Sequence, residues 1–288
     1  MGIELKNITK RFGDTLALNN INLNFDQPKI YGLLGNNGAG KTTMLNIISN
    51  RIFPDNGEVI VDDEQALDND CALNKIFMLS EKNLYPDGMK VERAFEEAAN
   101  FYQNFQMDQA LEMAKQFGLK TRKKINTLST GYTSIFKLIV ALNVNTPYLL
   151  LDEPVLGLDA QHRDLFYKLL LEKYANNPQT IIISTHLIAE VASLIEHTII
   201  IREGKILRDM PSEELLSGGY TISGPASLVN EYIIGKQVIT QNTLGGLKTA
   251  CIAGQPDPVP LPENLELGKL NLQDYFIQLM NKEDSDHE

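Results

Sequence analysis

The sequence is poor in cysteine: it has only Cys71 and Cys251, which stand far apart. Two isolated cysteines form neither a disulfide framework nor a metal-ligand cluster, and they suit a reducing cytosol. Basic residues are also fewer than acidic ones. The sequence has 26 lysines and arginines against 37 aspartates and glutamates, which gives a formal net charge of −11. Because proteins that bind nucleic acid present a basic face, this balance argues against a nucleic-acid partner.

Long hydrophobic runs are missing as well. No apolar stretch approaches the ~20 residues of a membrane-spanning helix, and the N-terminus lacks the apolar core of a signal peptide. We therefore expect a protein that is soluble by itself and reaches a membrane only through a partner. With 288 residues, 43% of them hydrophobic, the chain can bury a sizeable core in one large domain or two smaller ones.

The most informative stretch is residues 35–42, whose pattern G-x-x-x-x-G-K-T is that of a phosphate-binding loop. An apolar segment typical of a buried strand precedes it, and apolar residues at helical spacing follow. Backbone N–H groups of such a loop converge on one anion, and the next helix adds its positive end. We expect Lys41 to reach the β- and γ-phosphates and Thr42 to ligate Mg²⁺. The predicted nucleotide-binding residues here are Asn36, Asn37, Gly38, Ala39, Gly40, Lys41, Thr42 and Thr43.

The spacing of apolar residues predicts an α/β fold. Segments 3–8 and 16–25 alternate apolar and polar residues, as antiparallel strands with one exposed face do. The continuous apolar runs 148–151 and 180–184 suit parallel strands covered on both faces, and the helix between them completes a βαβ unit. A helical insertion is expected at about 85–145, where the apolar residues of the first helix share one face. These residues are Val91, Ala94, Phe95, Ala98, Phe101, Tyr102 and Phe105.

Polar residues follow both predicted parallel strands. Asp152 and Glu153 come directly after the run 148–151, and His186 follows the run 180–184. Because strand ends of a parallel sheet point at the ligand crevice, Asp152 is placed to hold Mg²⁺, directly or through water. Glu153 is then placed to orient the attacking water, and His186 to contact the γ-phosphate. Phe12 has two interpretations: stacking on a base, or a partly exposed aromatic residue without that role.

In this order, the motifs resemble those of the ATP-binding subunit of an ABC transporter. The further matching motifs are Leu128-Ser129-Thr130-Gly131-Tyr132, Leu156-Gly157-Leu158-Asp159 and Ser184-Thr185-His186. The resemblance covers about residues 1–216. It implies that Ser129 and Gly131 touch the ATP of a partner chain, and that Asp159 belongs to a loop crossing the dimer interface. It also makes Phe12 the residue that stacks on adenine.

The sequence departs from the family pattern at two places. Thr130 and Tyr132 replace a glycine and the glutamine of the usual signature Leu-Ser-Gly-Gly-Gln, so we expect a functional but altered signature. After the strand 76–79 the family has a glutamine that ligates Mg²⁺ and senses the membrane partner; Glu81 occupies this position here. A carboxylate can ligate Mg²⁺, but it adds negative charge beside the triphosphate.

The resemblance implies a P-loop ABC ATPase with an N-terminal antiparallel β subdomain, a central parallel sheet, a helical insertion and a small C-terminal α+β extension. Its nucleotide-binding domain would span residues 1–218, followed by an accessory region at 219–288. The implied cofactors are ATP and Mg²⁺. The implied partners are a multi-span membrane permease and a second ATPase chain, identical or related, which would keep the protein at the cytoplasmic face of the cell membrane.

The signature Ser-Thr-Gly-Tyr, with Glu-Pro-Val-Leu-Gly-Leu-Asp, resembles a bacterial exporter branch that expels amphipathic or antimicrobial peptides, such as phenol-soluble modulins. Two other functions stay open at this point. A soluble ABC ATPase of translation or DNA repair usually carries two cassettes or a long coiled coil, and neither pattern is present. A nucleotide-regulated binding module without turnover is the third class, and the presence of Glu153 argues against it.

Overall fold

A computed structural model describes residues 1–80, 82, 85, 86, 88–258 and 260–285. Glu81, one of the predicted site residues, lies outside the described residues. The strands are β1 (Ile3–Phe12), β2 (Thr15–Phe25), β3 (Ile30–Leu34), β4 (Asn56–Val61), β5 (Glu64–Gln65), β6 (Ile76–Leu79), β7 (Tyr148–Asp152), β8 (Thr180–Thr185), β9 (His197–Arg202), β10 (Lys205–Pro211), β11 (Gly219–Pro225), β12 (Val238–Leu244), β13 (Leu247–Ala253) and β14 (Glu266–Lys269). The helices are α1 (Lys41–Ile48), α2 (Asp70–Leu73), α3 (Val91–Phe101), α4 (Met107–Gln116), α5 (Thr130–Asn143), α6 (Ala160–Asn176), α7 (Ile188–Val191), α8 (Ser212–Leu216), α9 (Ala226–Tyr232) and α10 (Leu272–Ser285).

The chain divides into two compact units. One comprises Met1–His186 and Ile199–Asp209, and the other comprises Leu187–Thr198 and Met210–Glu288. Two segments that the sequence places before the C-terminal region, 187–198 and 210–218, thus belong to the same unit as that region. No helix in the described part of the chain is long and apolar enough to cross a bilayer.

An antiparallel sheet with the strand order β2-β1-β4-β5 opens the first unit. Its alternating sequence explains it, since Ile3, Leu5 and Ile8 of β1 are buried while the residues between them are more exposed. β1 pairs with β2 on one side and with β4 on the other. The predicted N-terminal antiparallel subdomain is confirmed.

A six-stranded sheet with the order β10-β9-β3-β8-β7-β6 carries the functional strand ends. β3, β8, β7 and β6 pair in parallel, and every residue of β3, β7 and β8 is buried. Continuous apolar runs predict this burial for strands covered on both faces. The register sets Leu34 beside Thr185 and Asp152 beside Ser184, so the loops after these three strands leave the same edge of the sheet.

The predicted helical insertion contains α3, α4 and α5. Val91, Ala94, Phe95 and Ala98 are buried on the inner face of α3, as their spacing predicts. The helix ends at Phe101, however, so Tyr102 and Phe105 of the predicted apolar face lie beyond it. Phe101 itself is 81% exposed. α5 is largely buried from Ile135 to its end, whereas Tyr132 in its first turn is 37% exposed. Its buried apolar residues are Ile135, Phe136, Leu138, Ile139, Val140, Ala141 and Leu142.

The second unit contains the C-terminal α+β extension. Its sheet has the order β12-β13-β11-β14, and the pairs β11–β13, β11–β14 and β12–β13 are antiparallel. One face of this sheet and helix α9 share a separate hydrophobic cluster. The buried members of the cluster are Tyr220, Ile222, Val229, Ala250, Ile252 and Leu265.

Candidate functional site

The predicted phosphate loop lies between β3 and α1. Glycine is required at two of its positions by close packing: a Cβ at Gly35 would lie 2.4 Å from the carbonyl oxygen of Ile201, and one at Gly40 would lie 2.7 Å from that of Ala17. Gly40 also has a φ of +111° at the N-cap of α1. No described side chain caps this helix, and its first turn contains no acidic residue. The positive end of α1 is therefore available to an anion.

Lys41, the first residue of α1, is 5% exposed and turns back over the loop. Its Nζ donates hydrogen bonds to the carbonyl oxygens of Gly35 (2.7 Å) and Asn36 (3.2 Å), and it lies 3.7 Å from Oε1 of Glu153. Burial lowers the pKa of Lys41, while the charges of Glu153 and Asp152 oppose that shift. The ammonium group thus sits at the loop, with partners that an incoming phosphate could replace.

Replacing Lys41 by alanine should weaken ATP binding, because the variant lacks the buried ammonium group that contacts the loop. A hydrogen bond to a charged group contributes roughly 1.5–3 kcal/mol, so we expect affinity to fall by about ten- to a hundred-fold. Isothermal titration calorimetry with ATP measures this. The matched control is Lys168→Ala, at an exposed lysine of α6. Equal ATP affinity in the Lys41 variant and the wild type would count against the assignment.

Thr42 and Asp152 meet beside the loop. Oγ1 of Thr42 donates to Oδ1 of Asp152 over 3.1 Å, and Oγ of Ser184 donates to the same oxygen over 3.0 Å. Burial raises the pKa of Asp152, and the hydrogen bonds from Thr42 and Ser184 oppose the rise. A buried carboxylate beside a hydroxyl suits Mg²⁺, which usually takes one or two protein oxygens together with substrate phosphates. The residues present therefore fit the predicted cation.

The Glu153 carboxylate is held on several sides. Oε1 lies 2.9 Å from Nδ1 of His186, and Oε2 accepts a hydrogen bond from Oγ1 of Thr185 at 3.2 Å. The backbone of Glu153 has a φ of +46°, which is uncommon for a residue with a side chain. Its N–H donates to the carbonyl oxygen of Ser184 at 2.9 Å. The Glu153 carboxylate thus lies within 3.7 Å of the Lys41 ammonium group. It is also in direct contact with His186, so the two predicted catalytic residues form a pair.

The signature motif begins α5. Ser129 is the N-cap, and its Oγ accepts a hydrogen bond from the N–H of Tyr132 at 3.3 Å. The backbone at Gly131 runs close to Gly157, because a Cβ at Gly131 would lie 3.1 Å from the Gly157 carbonyl oxygen. A cavity of about 300 Å³ is lined by Thr130 of this turn and by Asp152 and Glu153, among other residues. No residue of 35–43 is among the described residues that line it.

Asp159 caps α6, a role that the sequence interpretation did not assign. Its Oδ1 accepts from the N–H of His162 at 2.9 Å, and its Oδ2 lies 2.8 Å from Nδ1 of the same residue. These interactions with His162 lower the pKa of Asp159. The imidazole of His162 also contacts Phe117, at 6.0 Å between ring centres, and Tyr132, at 6.2 Å. The altered signature residue Tyr132 therefore packs onto α6 of its own chain.

Phe12 lies at the end of β1, with its side chain 48% exposed. The ammonium group of Lys10 sits 5.5 Å from the ring centre. The next strand, β2, reaches the phosphate loop, because its residue Ala17 is the close neighbour of Gly40. An exposed aromatic ring on the hairpin that adjoins the loop can stack on a base. That role for Phe12 stays a prediction.

An apolar groove of about 450 Å³ lies beside β6 and between α3 and α5. Tyr85 packs its ring against Phe136 at one side, 4.8 Å between centres, and burial raises the pKa of Tyr85 to about 12. Lys137 of α5 donates to the carbonyl oxygen of Ser80 at 3.2 Å and lines both this groove and the 300 Å³ cavity beside Asp152 and Glu153. The groove is also lined by Lys82, Met89 and Phe101.

Comparison with known proteins gives consistent matches. The family model described as ABC transporter matches residues 18–156. The chain is 31% identical over 223 residues to the bacitracin transport ATP-binding protein BcrA of Bacillus licheniformis, covering 74% of this chain and 71% of the relative. It is 29% identical over a 304-residue alignment to the Nod factor export ATP-binding protein I of Burkholderia lata, covering 99% of this chain and 98% of the relative.

A solved structure gives the same result. It is the dimeric post-hydrolysis state of the ATP-binding cassette MJ0796, bound to ADP and Pi. It superposes with a TM-score of 0.64 at 28% identity, covering 73% of this chain and 98% of the other. The predicted P-loop ABC ATPase fold is confirmed.

Proposed function

Since the chain belongs to the ABC transporter family and is an ATP-hydrolysing subunit of it, we propose that it drives export through a separate membrane-spanning permease. The proposed cargo is an amphipathic or antimicrobial peptide, and the proposed location is the cytoplasmic face of the membrane. One relative is named for bacitracin transport and another for Nod factor export. The second aligns with 99% of this chain, including the C-terminal region. The name of the second relative supports export, and the name of the first supports transport.

The observation that carries the catalytic proposal is the contact of Glu153 with His186 and Lys41 beside the loop. Loop N–H groups, the end of α1 and Lys41 bind and orient the triphosphate. Glu153 positions the attacking water and takes up its proton, while His186 and Thr185 hold the carboxylate in place. Thr42, Asp152 and Glu81 would hold Mg²⁺, which neutralises phosphate charge when bound.

A complete site needs a second chain in this proposal. The loop and Glu153 surround one side of the triphosphate, and the N-terminus of α5 at Ser129 and Gly131 supplies a second anion-binding surface. We propose that two chains, identical or related, pair head to tail, so that each signature meets the nucleotide bound to the other loop. The dimeric cassette with ADP and Pi supports this arrangement.

The apolar groove is the proposed contact with the permease. It lies next to Ser80 and Lys82, on either side of the position that the resemblance assigns to sensing the membrane partner. Its walls belong to both the central sheet and the helical insertion, so a segment bound there would touch both parts. The exposed ring of Phe101, at 81%, would then be covered.

Phe101→Cys and Lys82→Cys, each labelled through a disulfide with a photoreactive benzophenone, should crosslink on irradiation to a cytosolic loop of the permease in membranes that contain both proteins. Both side chains are exposed, whereas Tyr85 is largely buried and a cysteine there would also remove its contact with Phe136. Cys71, which is exposed, is first replaced by serine to remove background.

The control cysteine is placed at Leu244, which is 85% exposed in the second unit. We expect permease crosslinks from the groove positions and none from Leu244, as judged by a shifted band that reducing agent removes. Crosslinks from Leu244 alone would place the docking surface in the C-terminal region instead.

A further inference from the structure

Residues 120–124 form a loop that carries four cations, which we call the basic loop. Lys120, Arg122, Lys123 and Lys124 all have exposed side chains. The chain as a whole has a net charge of −11, so this concentration of positive charge opposes the overall balance. The proposed function of the ATP site uses none of these residues.

The backbone of the basic loop is fixed to the beginning of α3. The N–H groups of Val91 and Glu92 donate to the carbonyl oxygens of Lys123 (3.1 Å) and Thr121 (2.9 Å). Just beyond the loop, the N–H of Ile125 donates to the carbonyl oxygen of Met89 at 2.8 Å. The four cations are therefore displayed from a defined position in the fold.

Neighbouring carboxylates do not neutralise these cations. Glu92 pairs with Lys90 at 3.3 Å, and Glu112 pairs with Lys115 at 3.2 Å. Arg93 binds the carboxylates of Glu96 and Glu97. In the sequence, no aspartate or glutamate occurs from 113 to 151. Among the described residues, no ion pair involves the four cations, so the surface keeps a net positive charge.

The surroundings of the basic loop indicate its ligand. None of its side chains lines the apolar groove or the 300 Å³ cavity beside Asp152 and Glu153, so they do not enclose a small anion there. Aromatic residues for stacking on bases are absent between 118 and 131 of the sequence. Four cations on an exposed loop match an extended field of negative headgroups, which attracts clusters of lysine and arginine.

We propose that the basic loop binds anionic phospholipid headgroups and thereby orients the ATPase against the membrane. Met89, which accepts the hydrogen bond from Ile125, also lines the apolar groove. The loop is thus adjacent to the surface that the permease would cover. Only this placement beside the membrane rests on the proposed function; lipid binding itself needs no permease.

The test uses the purified full chain and vesicle flotation at low and at 0.15 M salt. One set of vesicles is phosphatidylcholine, and the other contains about a third phosphatidylglycerol. The test variant replaces Lys120, Arg122, Lys123 and Lys124 by glutamine. The control variant makes the same charge change at four other exposed cations, listed here: Lys168, Lys205, Arg208 and Lys269. A third variant, which combines Lys120→Arg, Lys123→Arg and Lys124→Arg, retains the charge.

We expect binding to the anionic vesicles only, weakened by salt. Each cation near such a surface contributes about a five-fold gain in affinity, so the test variant should lose at least about ten-fold, while the control and arginine variants bind like wild type. The proposal is wrong if the chain ignores phosphatidylglycerol or if the test variant binds normally. Loop-dependent preference for an RNA oligonucleotide over the vesicles would also overturn it.

Failure of this test leaves the transport proposal to be judged by other data. Crosslinks from the groove and the hydrolysis rate of the four-glutamine variant report on the permease contact and on the ATP site. A normal melting temperature of the test variant shows that loss of vesicle binding is not loss of fold. The arginine variant changes the shape of three side chains and keeps their charge. Its normal binding to anionic vesicles would therefore show that the charge of the loop is what the headgroups recognise.

Discussion

Replacing Glu153 by glutamine will lower the rate of ATP hydrolysis by about 10²–10⁴-fold while ATP binding is retained. Glutamine has nearly the same shape as glutamate, so contacts with Thr185 and His186 can persist in altered form. It cannot accept a proton from water, and that step is the role proposed for the carboxylate. A phosphate-release assay at saturating ATP gives the rate, and calorimetry gives the affinity.

Glu172→Gln is the matched control for this variant. The control replaces a glutamate by glutamine on the exposed surface of α6, away from the loop. The Glu172 carboxylate lies 3.9 Å from Lys168. We expect wild-type hydrolysis from the control. Turnover near the wild-type rate in Glu153→Gln would falsify the catalytic role of this carboxylate, because another group would then have to accept the proton from water.

Replacing Ser129 by arginine will abolish hydrolysis without reducing the affinity of the same chain for ATP. The residue caps α5 at the surface that is proposed to meet the partner's nucleotide. A long side chain there would separate the two chains, whereas the loop at 35–43 in the same chain is unchanged. Hydrolysis and ATP binding are measured on the same preparation.

Loss of the cap is a competing explanation for the Ser129 result, since removing an N-cap side chain typically costs ~1 kcal/mol. Ser129→Thr keeps a hydroxyl and a capping residue and should retain most of the activity. Ser129→Ala removes the cap without adding bulk, so its melting temperature reports the cost to stability. Wild-type hydrolysis by Ser129→Arg would contradict the role of the signature.

Much of the site was predictable because its residues stand at marked positions of the sequence. In a parallel sheet the strands end at the same edge, so the Gly-rich loop and the polar residues after two apolar strands converge there. The register of β7 and β8 brings Asp152 and Ser184 together. The support of these carboxylates was not predicted in detail. The sequence marks Ser184 and Thr185 only as part of a motif, although hydroxyl groups at the end of a neighbouring strand are themselves a signal for such support.

The contact between Tyr132 and His162 could not be read from the sequence. It joins the successive helices α5 and α6, and the spacing of apolar residues in neither helix indicates the contact. The capping role of Asp159 was predictable in principle, since aspartate directly before a helix is a common N-cap.

The limits of fold prediction were greatest in the C-terminal region. The α+β class was correct, but the individual strands were not located. β12 is largely exposed and mixes apolar and polar residues without regular alternation, so it gives no clear period. Burial there depends on α9 packing against β11 and β13, whose central residues form the separate cluster. Such a pattern arises from tertiary contacts and leaves only a weak signal in the sequence.

Light scattering of Glu153→Gln with and without ATP and Mg²⁺ tests the central claim, that two chains complete each ATP site. Each chain has a mass of 32.2 kDa and a formal charge of −11, so two chains repel unless the nucleotide bridges them. The account predicts the mass of a single chain without ATP and twice that mass with it. A single-chain mass at saturating ATP, together with wild-type hydrolysis at a rate per chain that does not depend on protein concentration, would contradict the composite site.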